Sequence, residues 1–153
     1  MTRIILVTGG QGQVGQELAR FDWPQGIEPK LPGRDELNLG DRDTIERYVA
    51  QLSPAAIINC AAYTSVDRAE DEPNLAYAVN ARGAGWLARA ARITNIPMIQ
   101  VSTDYVFGAI SNGVLNETTL SAHQGSTAQA SLPEKLPRQL PAIAWSFYER
   151  RGW

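Results

Sequence analysis

Short apolar runs alternate with amphipathic stretches along the N-terminal two thirds of the chain. Four runs have the length and composition of strands, at 4–7, 27–31, 55–59 and 96–101, and the third is apolar enough to be buried on both sides. The second carries Pro29 and Lys30, so we predict a short or edge strand there. Because amphipathic stretches separate the runs, their order predicts a parallel sheet with right-handed crossovers.

Three of the connecting stretches are predicted as helices, at 41–52, 67–71 and 74–92. The first places four apolar side chains on one face, those of Ile45, Tyr48, Val49 and Leu52. Pro73 suits the first turn of the third helix, because a proline there gives up no helical hydrogen bond. The expected fold class is α/β, a Rossmann-like doubly wound parallel sheet.

A glycine-rich turn separates the first strand from an amphipathic helix. Gly9 allows a tight turn, Gly12 removes a Cβ where a pyrophosphate would approach, and Gly15 lets the helix lie close to the strand. Free N–H groups and the positive dipole end at the helix start then form an anion site. A tight turn without a ligand is the alternative, but the strand–turn–helix order favours a dinucleotide site.

Polar loops follow the first, third and fourth strands, at 9–15, 61–64 and 102–105. In a doubly wound sheet the carboxyl ends of the strands share one crevice, so these loops are expected to meet. Ala61 and Ala62 are small enough for a cofactor to lie against them. Thr103 offers a hydroxyl for a carbonyl or a ribose, although the same hydroxyl could simply cap a helix or close a turn.

Arg34 lies just after the second strand, where folds of this kind contact the adenosine ribose. An acidic side chain at this point favours NAD, whereas an arginine can hold the 2′-phosphate of NADP. A solvated surface arginine is an equally good interpretation. The choice between NADPH and NADH therefore stays open.

Composition excludes several other classes of protein. The 153 residues suffice for one domain, and a net charge of −2 without a basic patch argues against a nucleic-acid partner. No apolar run approaches the roughly 20 residues of a membrane span, and the chain starts directly with a strand, so no membrane or signal segment is expected.

The single cysteine and the single histidine limit the chemistry further. Cys60 excludes an internal disulfide and suits a reducing cytoplasm, and we expect it to be a small buried side chain and not a nucleophile. With only His123 present, a site built from several histidines is impossible, and no metal site is predicted.

Four segments carry a family resemblance that covers residues 1 to about 125. They are Thr8-Gly9-Gly10-Gln11-Gly12-Gln13-Val14-Gly15, Asn59-Cys60-Ala61-Ala62-Tyr63-Thr64-Ser65-Val66-Asp67-Arg68-Ala69-Glu70, Ala78-Val79-Asn80-Ala81 and Ser102-Thr103-Asp104-Tyr105-Val106-Phe107. On these segments the chain resembles the extended short-chain dehydrogenases/reductases, and more narrowly the dTDP-4-dehydrorhamnose reductases. The second and fourth segments together are quite specific to that reductase family.

The resemblance implies reduction of a 4-keto nucleotide sugar to dTDP-L-rhamnose, with NADPH or NADH as cofactor. It implies a homodimer for the full-length family member and a substrate contact by Asp104. Thr103 would belong to a catalytic Thr-Tyr-Lys set, whose tyrosine protonates the C4 carbonyl oxygen while the lysine lowers its pKa. With the turn and loop residues above, the predicted cofactor-binding set is Gly9, Gly12, Gln13, Val14, Gly15, Arg34, Asn38, Leu39, Ala61, Ala62, Tyr63 and Thr64.

The C-terminal part departs from the family pattern. The family requires Tyr-x-x-x-Lys after the Thr103 loop, and no such motif exists between Gly108 and Trp153. Pro133, Pro137 and Pro141 also forbid the long helix that the fold requires there. We therefore divide the chain into a partial NAD(P)-binding domain at 1–125 and an atypical tail at 126–153, which leaves the outer edge of the fourth strand exposed.

A shifted reading frame explains the tail. With one permitted set of codons, the segment starting at Ser126 read two nucleotides later gives Tyr-Gly-Ala-Ser-Lys-Leu-Ala-Gly-Glu-Ala, which contains the required motif. The same offset lets the last residues encode Leu-Val-Ile-Leu-Arg-Thr-Ser-Trp-Val, which resembles a strand of the family. The hypothesis is that a frameshift near Gly125 puts residues 126–153 out of frame.

Three functions are compatible with these observations. The first is a reductase of this family that is inactive as written, because it lacks the tyrosine and the lysine. The alternative is a non-catalytic nicotinamide-dinucleotide-binding module or regulatory subunit. An epimerase or dehydratase acting on a nucleotide sugar is a third, and the segment at 62–67 argues against it.

Overall fold

The computed structural model describes residues 1–102 and the backbone of 145–146, which form a parallel sheet with helices packed against it. The strands are β1 (Arg3–Thr8), β2 (Ile27–Lys30), β3 (Ala56–Asn59), β4 (Met98–Ser102) and β5 (Trp145–Ser146). Their order is β2-β1-β3-β4-β5, and each neighbouring pair is parallel. The α/β class is confirmed, and β2 lies at an edge as its proline predicted.

The helices are α1 (Gln13–Arg20), α2 (Arg42–Leu52), α3 (Val66–Asp71), α4 (Pro73–Tyr77) and α5 (Ala84–Thr94). A π-helical segment, Ala78–Gly83, joins α4 to α5. The predicted helix at 74–92 is therefore present but is interrupted by a stretch with a wider turn, which a period of 3.6 residues does not reveal.

The main hydrophobic core lies between the sheet and the helices α2 and α5. Leu6, Ile57 and Leu87 are completely buried in it, and Ile45 and Val49 of α2 join them. Tyr48 and Leu52 pack against the same cluster, so the apolar face predicted for this helix is confirmed.

The outer edge of β4 differs from the expectation. The backbone of Trp145 and Ser146 pairs in parallel with Val101 and Ser102, so the last two residues of β4 have a neighbour. Within residues 1–102, no helix is long and apolar enough to cross a membrane.

Candidate functional site

The turn after β1 presses directly on the loop after β3. Gly9 has φ of +76°, and a Cβ on it would lie 2.6 Å from the backbone nitrogen of Ala61. The N–H of Gly12 donates to the carbonyl oxygen of Gly9 at 3.0 Å and closes the turn. A positive φ and a backbone contact at one residue leave room only for glycine.

The other two glycines of the motif have opposite surroundings. Gly15 is buried, and a Cβ on it would lie 2.2 Å from the Gly9 carbonyl oxygen and 2.6 Å from the Gly10 Cα. Gly12 is exposed, and the Gly9 oxygen at 3.3 Å is the nearest atom to a Cβ there. Helix α1 therefore lies against the turn, while the backbone at Gly12 faces open space, here called the cradle, which a side chain at this position would occupy.

The start of α1 suits an anion. No side chain caps its first turn, and that turn contains no acidic residue, so the positive end of the helix dipole faces the cradle uncompensated. Gln13 and Val14 are the first residues of the helix and carry the N–H groups that a phosphate would accept from. The residues present fit the pyrophosphate of a dinucleotide.

A row of polar side chains crosses the sheet at the strand ends. Thr8, Asn59 and Gln100 occupy paired positions on β1, β3 and β4. The Thr8 hydroxyl donates to Asn59 Oδ1, and Asn59 Nδ2 donates to Gln100 Oε1 at 2.7 Å. Asn59 Oδ1 also accepts from the N–H of Ala61 at 3.2 Å. This network ties the loop after β3 to the ends of three strands, and the sequence prediction did not include it.

Tyr63 anchors the loop at 61–64. Its N–H donates to Asn80 Oδ1 at 2.6 Å, and its carbonyl oxygen accepts from Asn80 Nδ2 at 3.1 Å. Its hydroxyl donates to Glu72 Oε2 at 2.7 Å. Ala62 and Thr64 are exposed on either side of this anchor, so they are the residues of the loop most accessible to a ligand.

The Tyr63–Glu72 hydrogen bond changes the pKa of both groups. It raises the pKa of the Tyr63 phenol above 10.0, because Glu72 accepts the phenolic proton. It lowers the pKa of Glu72 below 4.5, and the nearby Arg68 guanidinium lowers it further. Tyr63 is therefore a protonated anchor of the loop at neutral pH.

The contribution of this bond to stability is expected to be confined to a window of pH. The Glu72 part is present above its unfolded pKa and is lost as the pH falls through the lower folded value. The Tyr63 part is present below its unfolded pKa and is lost as the pH rises through the higher folded value. The melting temperatures of the parent chain and Tyr63→Phe should differ near neutrality and converge below about pH 4 and above about pH 10.

A second variant separates the two limits of this window. Glu72→Gln keeps an acceptor oxygen for the phenol but no group that titrates, so the loss on the acid side should be absent in that background. A difference between the parent chain and Tyr63→Phe that persists unchanged well below pH 4 and well above pH 10 would contradict the assignment.

The loop between β2 and α2 forms the other side of the candidate site. Arg34 is exposed in a turn that the Gly33 N–H closes by donating to Glu36 Oε2 at 3.0 Å. Asn38 is also exposed, and its Oδ1 accepts from the Gly40 N–H at 2.9 Å. The next residue of the predicted cofactor-binding set, Leu39, is buried. Of this adjacent pair, only the Asn38 side chain is accessible to a ligand.

The glycine turn contacts residues on both of its sides, and one of these contacts joins two residues of the predicted set. Gly9 meets Ala61 on the β3 side, and a Cβ on Gly10 would lie 3.0 Å from Leu31 Cβ on the β2 side. Thr103 and Asp104 lie outside the described residues, so their predicted roles stay predictions.

Cys60 is half-buried, so the expectation of a buried side chain was too strong. Burial raises the pKa of its thiol, which disfavours the thiolate that a nucleophile requires. Within residues 1–102, no three side chains of His, Cys, Asp or Glu come together as metal ligands.

Comparison with known proteins shows a family. The family model described as the RmlD substrate binding domain matches residues 2–130. A dTDP-4-dehydrorhamnose reductase from Mycolicibacterium smegmatis is 44% identical over 110 residues, which are 72% of this chain and 33% of that protein. One from Aggregatibacter actinomycetemcomitans is 41% identical over 117 residues, which are 76% of this chain and 40% of that protein.

A solved structure agrees with this match. The dTDP-4-dehydrorhamnose reductase of Bacillus anthracis, crystallised in complex with NADP, superposes with a TM-score of 0.80 at 30% identity. The alignment covers 86% of this chain and 47% of that one. This chain thus spans 33% and 40% of the two curated relatives above. Because the family match covers most of the sequence, the chain belongs to the RmlD substrate binding domain family, that of the dTDP-4-dehydrorhamnose reductases.

Proposed function

We propose that the chain binds NADPH or NADH in the crevice between the glycine turn and the loops after β2 and β3. The observation that carries the proposal is the open cradle above Gly12 at the uncapped start of α1. The Bacillus anthracis relative, solved with NADP, supports the choice of ligand. The same crevice would then serve the family reaction, reduction of dTDP-4-dehydro-L-rhamnose to dTDP-L-rhamnose in the cytoplasm.

Each side of the site has a separate task in this proposal. The N–H groups of Gln13 and Val14 hold the pyrophosphate, and Arg34 reaches the adenosine ribose. The small side chains of Ala61 and Ala62 lie along the cofactor, and the hydrogen bonds of Tyr63 hold this loop in place. In the family reaction the bound cofactor would supply a hydride, and Thr103 and Asp104 would orient the nucleotide sugar that accepts it.

Reduction of a ketone also needs a proton for the carbonyl oxygen. In the family a tyrosine donates this proton, and the chain lacks that tyrosine. The Tyr-x-x-x-Lys motif is absent from 108–153, so we expect cofactor binding without turnover. The proposal keeps the division into a partial cofactor-binding domain at 1–125 and an out-of-frame tail at 126–153. A full-length product in the restored frame would be the reductase and could form the homodimer.

Calorimetric titration of the purified chain with NADPH and with NADH tests this function. Binding of at least one cofactor, with no oxidation when dTDP-4-dehydro-L-rhamnose is added, is the expected result. The absence of binding to either cofactor would contradict it. If the gene proves to encode the tail as written, binding without turnover would favour a non-catalytic binding module.

Arg34 is expected to distinguish the two cofactors. It is exposed in the loop after β2, on the side where the adenosine ribose is expected, and its guanidinium is suited to a 2′-phosphate. Arg34→Ala should weaken NADPH binding about 10- to 100-fold, the value of a charge-assisted hydrogen bond, and leave NADH binding unchanged. Arg92→Ala, an exposed arginine at the end of α5, is the matched control. If Arg34→Ala weakened the binding of NADPH and of NADH equally, the proposed contact of Arg34 with the 2′-phosphate would be contradicted.

A further inference from the structure

Asn80 holds the backbone of one residue of the loop at 61–64, Tyr63, at two points. Its Oδ1 accepts from the N–H of Tyr63 at 2.6 Å, and its Nδ2 donates to the carbonyl oxygen of Tyr63 at 3.1 Å. The side-chain amide has only one orientation that satisfies both bonds, since one partner is a donor and the other an acceptor. Asn80 is 8% exposed, so water does not replace these bonds easily.

The π segment that carries Asn80 also touches the opposite loop. A Cβ on Gly83 would lie 2.6 Å from the carbonyl oxygen of Leu39, so the backbone of the segment lies directly against the loop between β2 and α2. One short segment thus contacts both walls of the crevice, through Asn80 at Tyr63 and through Gly83 at Leu39. π-helical turns inside α-helices are frequent at functional sites.

The order of the strands indicates which part of a dinucleotide lies next to the loop after β2 and which part lies next to the loop after β3. The pyrophosphate lies at the turn after β1, and the adenosine ribose is read at the end of β2. Because β3 is on the other side of β1 from β2, the loop at 61–64 lies on the nicotinamide side of the pyrophosphate. Loss of order in this loop should therefore weaken the binding of the nicotinamide half and leave the binding of the adenosine half unchanged.

We propose that Asn80 is a positioning residue that clamps the backbone of Tyr63 on both sides of its Cα and thereby holds Ala61 and Ala62 in place for the nicotinamide half of the cofactor. The inference rests on the proposed function and deepens it. Asn80 itself touches the loop and not the cofactor, so it acts only through the position of the backbone at 61–63.

Binding of NADP⁺ and of adenosine 2′,5′-bisphosphate, which lacks the nicotinamide half, tests the inference on the full chain. Asn80→Leu has a side chain of similar volume but without the amide. It should weaken the binding of NADP⁺ about tenfold and change the affinity for the bisphosphate by less than twofold. Asn74→Leu, on an exposed asparagine of α4, should change neither. Loss of hydrogen-exchange protection at the Tyr63 amide, with β3 still protected, should accompany Asn80→Leu.

Asn80→Asp provides a second signature. A carboxylate keeps the acceptor for the Tyr63 N–H but places a negative oxygen against the Tyr63 carbonyl. Protonation restores a donor, so NADP⁺ affinity of this variant should rise towards the parent value as the pH falls, whereas that of Asn80→Leu should not. This dependence would not arise from a general loss of stability.

The outcomes separate the two proposals. A parent chain that binds neither ligand overturns the proposed function, and the inference with it. A parent chain that binds NADP⁺ while Asn80→Leu binds it equally well overturns the inference alone. Equal weakening of NADP⁺ and the bisphosphate in Asn80→Leu also overturns it, because the effect would then be a general one on the fold.

Discussion

Restoring the reading frame between His123 and Ala130 is expected to give an active full-length reductase, whereas we expect no turnover from the chain as it stands. Under the frameshift hypothesis, the restored frame would encode Tyr-Gly-Ala-Ser-Lys in place of the segment that begins at Ser126. A positioned general acid is worth about 10²–10⁴-fold in rate, and the restored product also regains the region that its relatives have beyond this chain. Oxidation of NADPH in the presence of dTDP-4-dehydro-L-rhamnose measures the gain.

Resequencing the gene across these codons is the first step, and a tyrosine variant is the control. In the restored enzyme, changing the regained tyrosine to phenylalanine should lower turnover about 10²–10⁴-fold while NADPH still binds. Codons that cannot give Tyr-x-x-x-Lys in another frame would end the frameshift hypothesis. A restored enzyme without turnover would show that the tail is not the reason for inactivity.

Gly15→Ala is expected to destabilise the fold by about 2–3 kcal/mol, the upper part of the usual range for overpacking, and to abolish measurable cofactor binding. Its Cβ would lie 2.2 Å from the Gly9 carbonyl oxygen and 2.6 Å from the Gly10 Cα. Both are backbone atoms of a turn that is itself pressed against Ala61, so they cannot move aside as a side chain would. Helix α1 must shift away from the turn, and its N–H groups move with it.

Gly85→Ala is the matched control, because it makes the same change in helix α5 with no atom within 4 Å of the new Cβ. It should stabilise the chain by about 0.5–1 kcal/mol, since alanine is the better helix former, and it should leave binding unchanged. Urea denaturation and NADP⁺ titration of both variants measure the contrast. Equal stability of the two variants would contradict the packing argument.

The sequence predicts the elements of this fold better than it predicts the contacts between them. Strand composition, the proline of β2 and the apolar face of α2 are local properties, and the structure agrees with them. The glycine spacing likewise indicates where backbones approach, as the contacts at Gly9 and Gly15 show.

Contacts between distant residues were not predictable in the same way. Asn80 reads as one polar residue in an alanine-rich helix, and its partner Tyr63 is 17 residues away. The π segment leaves no clear periodic signal, because it inserts a wider turn into an alanine-rich run whose small side chains do not mark one face of a helix. Polar residues inside otherwise apolar segments, such as Asn59 and Asn80, are the one signal that could have indicated these sites.

The row formed by Thr8, Asn59 and Gln100 also specifies how the strands align during folding. Short parallel strands of similar apolar residues carry little information about register, since a slip by one position still buries aliphatic side chains. A slip of β3 by one residue would turn the Asn59 side chain to the opposite face of the sheet and leave its amide without Thr8 and Gln100. An unpaired buried amide costs about 1–3 kcal/mol, so the polar row penalises misaligned sheets that the apolar residues alone would tolerate.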